Sequence, residues 1–190
     1  MQSQSPTKRT NGAVERYLDL LDEQRRGILD RLAGVEPEAL WARPLPKKWS
    51  IGEHLDHTRV LLRDFRRLLR LLWPLLSLIA RWRRARPYEV TVDDVYERPG
   101  FPLRTGWMWR PSRRPSRPVP LEALARDLAA EHAATRAFYQ GKDERLLGHA
   151  RLWDLAIGRL NLIQVLRVGA FHDAHHFRLV ERILDGTYQG

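Results

Sequence analysis

The stretch Phe171–Ile183, FHDAHHFRLVERI, holds three of the chain's seven histidines within five residues. His172 and His176 are four apart, a spacing that puts both imidazoles on one face of a helix, about 5–6 Å apart at Cβ. That suits two ligands on one metal ion. The same stripe runs through Val165, Gly169, Val180 and Ile183, so the pair points toward apolar surroundings. The quintet HDAHH also shares the frame of the zinc-protease motif H-E-x-x-H, but Asp173 stands where that motif carries its general-base glutamate. Aspartate is one methylene shorter and does not reach the same water. The protease reading is therefore rejected, and Asp173 is left as a solvated residue or an outer partner of the ligands.

A second group lies in WSIGEHLDHT, where His54 and His57 are one turn apart. A third imidazole from a facing helix would complete a facial three-nitrogen set with coordination positions left open, the mark of a catalytic rather than a structural site. Both histidines flank the apolar stripe, so spacing alone does not choose between them. His132 falls in line with Leu128 and Thr135 and reads as a hydrogen-bonded core residue, while His149 falls in a loop-like stretch and reads as exposed. The chain has no cysteine. Thiolate ligands, disulfides and a cysteine nucleophile are all excluded, and any thiol chemistry must use a thiol brought by a substrate.

Four segments carry the helical period that would position these residues. The first runs from Ala13 to Leu32, with Val14, Tyr17, Leu18, Leu21, Ile28 and Leu32 apolar and Gly34 as a stop. The second opens at a capping box, Ser50 with Glu53, carries Ile51, Leu55, Thr58, Leu62, Phe65 and Leu69 on one stripe, and is expected to bend or end near Pro74. The third starts after Pro120 with Leu121, Leu124, Leu128, Thr135 and Phe138 facing inward, and the fourth spans about Leu160 to Leu184. The expected fold is all-α, a four-helix bundle forming one domain over 1–190, with a flexible N-terminus at 1–11 and a long connector at 74–119. The stretch from Pro74 to Pro120 holds eight of the twelve prolines, and within it Tyr88–Tyr96 has a weak strand or extended signal.

The net charge of +10 invites a nucleic-acid or anionic-membrane reading. Its distribution tempers that. Residues 81–118 hold ten arginines against four acids, while the remaining chain has 23 basic and 19 acidic residues. Trp82, Trp107 and Trp109 stand among those arginines, as single-strand binding would require, and LLWPLLSLIARW just before them has an interfacial look. Packing of the tryptophans over a bundle end or as a pocket wall is the stronger expectation, so neither nucleic acid nor a membrane is the expected partner. A milder role has Arg83, Arg84 or Arg86 attracting an anionic substrate or thiol. The longest nearly apolar run, Leu68–Ala80, is too short to span a bilayer, and the polar opening carries no signal-peptide core, so the expected location is cytoplasmic.

The motif W-S-I-G-E-x-L-x-H from Trp49 to His57, paired with the late H-x-x-H-H, resembles the DinB/YfiT-like superfamily. The resemblance implies a four-helix bundle in which a second-helix histidine and a fourth-helix H-x-x-x-H pair bind a divalent metal. It places the ligands at His57, His172 and His176, with His54 and His175 as neighbours. It also implies a small-molecule substrate and a metal-centred enzyme, a thiol-dependent S-transferase using a low-molecular-weight thiol or a hydrolase, and it admits a homodimer. Three imidazoles with water suit zinc, nickel, manganese or iron. Ligating histidines must be neutral and need acceptors on their second nitrogens, for which Glu53, Asp56 and Asp173 are near in sequence. The alternative is a non-enzymatic binding module whose basic insert contacts an anionic partner or nucleic acid.

Overall fold

The computed structural model describes residues 12–99, 111, 118–154 and 157–188. Four long helices dominate: α1 (Ala13–Arg31), α3 (Ile51–Arg81), α4 (Leu121–Tyr139) and α6 (Leu162–Leu184). Between them lie the short α2 (Pro37–Trp41) and α5 (Glu144–His149), a 3₁₀ turn at Val95–Glu97, and a hairpin of β1 (Arg151–Asp154) and β2 (Gly158–Asn161). Helix α1 packs on α6 and α4, and α3 packs on the same two. The expectations for residues 1–11 and for Trp107 and Trp109 lie outside the described residues.

Local chemistry fixes where each site helix begins. At α3 the Ser50 hydroxyl accepts from the Glu53 amide at 3.2 Å while the Glu53 carboxylate accepts from the Ser50 amide at 2.9 Å. This capping box satisfies donors that the first turn would otherwise orphan. Arg43 reaches the same carboxylate and holds it below the usual glutamate range although burial opposes this. Gly52 follows because the Trp41 ring lies against that turn: a Cβ there would stand 2.8 Å from the indole. Helix α6 opens with a second reciprocal box, Asn161 with Gln164.

Pro74 does not end the second long helix, which runs on to Arg81, so the connector begins at Trp82 rather than at residue 74. Proline there removes one amide donor, but the position is exposed, and water can solvate the freed carbonyl of Arg70. The helix beyond it is held by Trp73, Leu76 and Ala80, which pack against the core. The Tyr88–Tyr96 segment forms no strand. Its carbonyls are taken by side chains instead: Val90 by the Tyr17 hydroxyl at 3.0 Å, Glu89 by Asn161 at 2.7 Å and Thr91 by Gln164 at 2.9 Å. The fourth long helix starts at Leu162 because the preceding residues belong to the hairpin, whose register pairs Arg151 with Asn161 and Asp154 with Gly158.

The core is divided. One cluster gathers Leu18, Leu21, Leu69, Phe138, Leu162 and Leu166, and the other Ile28, Leu40, Ile51, Leu55, Phe177 and Val180. Along α3, His54 falls between Ile51 and Leu55 of the second cluster, and His57 between Leu55 and Leu69 of the first. Along α6, His172 and His176 both lie between Ala170 of the first cluster and Phe177 of the second. A buried polar layer therefore separates two apolar ones.

Candidate metal centre

Helix α3 delivers His57 and α6 delivers His172 and His176 to one point. One ring nitrogen from each lies within 4.8 Å of the other two. The His57 and His172 Nε2 atoms face one another at 3.0 Å, and the His176 ring stands 4.5 Å, centroid to centroid, from each of the other rings. With metal–nitrogen bonds of about 2.1 Å, two ligands at right angles on one ion lie about 3.0 Å apart. The His57–His172 nitrogen spacing and the all-imidazole donor set therefore fit a divalent ion.

Electrostatics favours the ligating form. Burial holds His172 near a pKa of about 3, and burial with four other imidazoles nearby holds His176 well below the ordinary histidine value. Both are neutral at pH 7, so each has a lone pair to offer. A match to the DinB superfamily covers residues 20–180, a span that contains all three histidines, the whole of α3 and most of α6.

The chain belongs to the DinB superfamily. No curated protein and no solved structure matches it. Against this DinB framework, the outer partners are specific. Asp173, on α6, lies 3.2 Å through Oδ1 from His172 Nδ1, leaving His172 Nε2 to face His57. The aspartate is buried rather than solvated, and burial raises its pKa to about 6 against the opposing pull of His132 and His57. Its second oxygen is 3.9 Å from His132 Nε2, and His132 Nδ1 is 3.4 Å from Asp22. Asp22 in turn is bound by Arg136 at 2.9 Å. His132 is thus a buried core histidine as expected, but it sits one residue beyond the site's own carboxylate.

His54 is buried against His176, Nδ1 to Nδ1 at 2.9 Å. With that nitrogen of His176 engaged, Nε2 is the one left for the cluster. His175 turns away and stacks on Tyr96, 4.7 Å between centroids and 19° between planes. Glu53 is occupied by Ser50 and Arg43, and Asp56 binds Arg59 at 2.8 Å. His149 corrects the exposed reading: it is buried on α5, where Nε2 meets the Arg86 carbonyl at 3.0 Å. Its neighbour Gly148 lies so close to the Tyr88 ring that no Cβ fits, which pins the connector to α5.

Two aromatic residues complete the surroundings. Trp49 lies 4.8 Å from the His57 ring, 5.5 Å from His54 and 6.0 Å from His176, stacked on the last at 20°. Tyr96 covers the other side, and burial raises its hydroxyl pKa well above the ordinary value. Sequence spacing marked Trp49 only as part of a motif. Tyr96 carried no signal, because its place depends on the side-chain anchoring of residues 89–91.

Proposed function

We propose that this DinB-superfamily protein is a four-helix-bundle enzyme, one domain over 1–190, that holds a divalent metal through His57, His172 and His176 and acts on a small molecule. The convergence of three buried imidazoles from two helices, with His172 and His176 held neutral by burial, carries this reading. Three protein nitrogens leave open coordination positions, the arrangement of catalytic rather than structural sites. A bound divalent ion would supply Lewis acidity, either activating water or holding a substrate thiolate beside a polarised electrophile. Zinc, nickel, manganese and iron all accept this donor set.

The chain's own residues do the rest. Asp173 accepts the His172 Nδ1 proton, and His54 accepts the His176 Nδ1 proton, so each ring presents Nε2 with its lone pair. Trp49 and Tyr96 flank the imidazoles and exclude water from their faces. With no cysteine in the chain, a transfer of sulfur requires a thiol that binds as substrate. A thiol-dependent S-transfer is the favoured reaction and metal-assisted hydrolysis the second.

Metal analysis of protein purified without added metal is the test, repeated on His57→Ala, His172→Ala and His176→Ala. About one equivalent in the wild type and less than a tenth in each variant is the expected result. Undiminished metal in any folded variant overturns the ligand set. Single-turnover assays of the loaded protein with a low-molecular-weight thiol and an alkyl halide then separate transfer from hydrolysis.

A further inference from the structure

Helix α3 has a second apolar face that is left exposed among the described residues. Leu68, Leu71, Leu75, Leu78, Ile79 and the following Trp82 are all exposed, Leu71 at 77% and Trp82 at 88%. They recur at three- and four-residue steps, so they form one continuous stripe. Phe65, Leu69, Trp73, Leu76 and Ala80 supply the separate face that packs on the core. Of the eight large apolar side chains exposed among the described residues, six lie on this stripe. A contiguous patch of this kind marks an interaction site. The high exposure of Trp82 also removes, for that residue, the expectation that it packs back over the bundle.

The charge around the stripe selects the occupant. Residues 65–88 contain seven arginines and no aspartate or glutamate. Arg66 is bound to Glu131 and Arg84 to Asp143. Arg67, Arg70, Arg81, Arg83 and Arg86 are exposed. At 100° per residue, Arg67, Arg70 and Arg81 follow one edge of the stripe, and Arg83 and Arg86 continue beyond its Trp82 end. Pairing two copies through the stripe would bring fourteen arginines together with no carboxylate from either segment. A nucleic acid would meet the arginines but leave the leucines in water. An anionic lipid surface meets both, the apolar face entering the headgroup boundary and the arginines lying among phosphates.

We propose that the C-terminal half of α3 is a peripheral membrane-docking surface for anionic lipid, with Leu71, Leu75, Leu78, Ile79 and Trp82 inserted and the flanking arginines at the headgroups. No described helix is long and apolar enough to cross a membrane, so the helix lies in the plane of the surface. His54 and His57 on the same helix are buried in the protein and so do not face the bilayer.

Co-sedimentation of the full chain with vesicles tests this, using 30 mol% phosphatidylglycerol in phosphatidylcholine against pure phosphatidylcholine at 0.1 M salt. The wild type binds the anionic vesicles at least tenfold more strongly, and 0.5 M salt weakens that binding. The double variant Leu71→Glu/Leu75→Glu changes only exposed positions and keeps the wild-type helical circular dichroism while losing binding. Arg83→Glu/Arg86→Glu weakens binding to anionic vesicles by about fivefold or more per arginine removed. Equal or absent binding to both vesicle types overturns the proposal. So does sedimentation velocity showing a wild-type dimer that the Leu71→Glu/Leu75→Glu variant dissociates, which assigns the stripe to a second copy.

Discussion

Replacing His54 separates its proposed role at the metal centre from a merely structural one. Its Nδ1 stands 2.9 Å from His176 Nδ1. For His176 to present Nε2 as a ligand, its Nδ1 must carry the proton and His54 must accept it. In His54→Leu that buried N–H loses its acceptor, at a cost of about 1–3 kcal/mol. An outer partner of a ligating histidine is typically worth 10–100-fold in affinity, or about 1.4–2.7 kcal/mol, so both routes give a loss of one to two decades. The stability of the metal-free protein moves differently. His54 Nε2 is itself buried with no hydrogen-bond partner, so leucine removes one orphaned polar atom while creating another. The metal-free unfolding free energy should change by less than about 1 kcal/mol. His54→Asn, whose Oδ1 can accept, should recover part of the affinity. Competitive titration against a chromophoric chelator measures binding, and urea unfolding of chelated protein measures stability. An affinity loss below threefold, or one matched by an equal loss of metal-free stability, refutes the reasoning.

Two further outcomes follow from the same geometry. His54 and His172 are each held near a pKa of about 3, chiefly by burial, and His176 well below its usual value. The unfolded chain therefore takes up protons near 6.5 that the folded chain refuses, and stability falls as pH drops below that value. Asp173 acts oppositely, since its folded pKa of about 6 exceeds the unfolded value. The net difference of roughly two protons near pH 5 gives about 3 kcal/mol per pH unit. Urea midpoints of metal-free protein between pH 7 and 5 check the slope, and a flat profile would count against the buried neutral layer. Gly52→Ala drives a Cβ to 2.8 Å from Trp41 and should cost about 1–3 kcal/mol by overpacking, read in thermal unfolding. A neutral result there would mean that Trp41 is not fixed on the first turn of α3.

The helices were legible because their signals are local. Ser50 and Glu53 announce the start of α3, Pro120 precedes α4, and the apolar periods of α1 and α6 name their buried faces. The His172 and His176 pair was legible for the same reason, since the two share a face by spacing, whereas the choice of His57 over His54 rested on the family resemblance of the motif around Trp49. What the sequence hid depends on distance along the chain. Nothing local distinguishes a proline that ends a helix from Pro74, whose helix is kept by Trp73, Leu76 and Ala80 meeting partners far away. His149 looked exposed because its partners, the Arg86 carbonyl and the Tyr88 ring, belong to a connector whose path no periodicity reports. The same holds for Tyr96 and His132, whose relation to the site passes through Asp173 and the side chains of α1 and α6.

The division of the core bears on why these histidines are where they are. Leu55 and Phe177 of one cluster lie within a few residues of His57 and His172, and Ala170 of the other lies just beyond. Apolar residues at 54, 57, 132, 172 and 176 would join the two clusters into one continuous core, at a gain of about 1.5–3 kcal/mol per side chain. The chain instead buries five imidazoles and a carboxylate there, leaves His54 Nε2 and His132 Nε2 without hydrogen-bond partners among the described residues, and accepts a pKa displacement at His54, His132 and Asp173. Desolvation of that kind opposes folding unless a ligand offsets it. A tightly bound divalent ion at 1,000 times its dissociation constant returns about 4 kcal/mol to the folded state. The polar layer is therefore more consistent with a loaded site than with a structural core, and chelation should lower the melting temperature of the native protein while leaving that of His176→Ala unchanged.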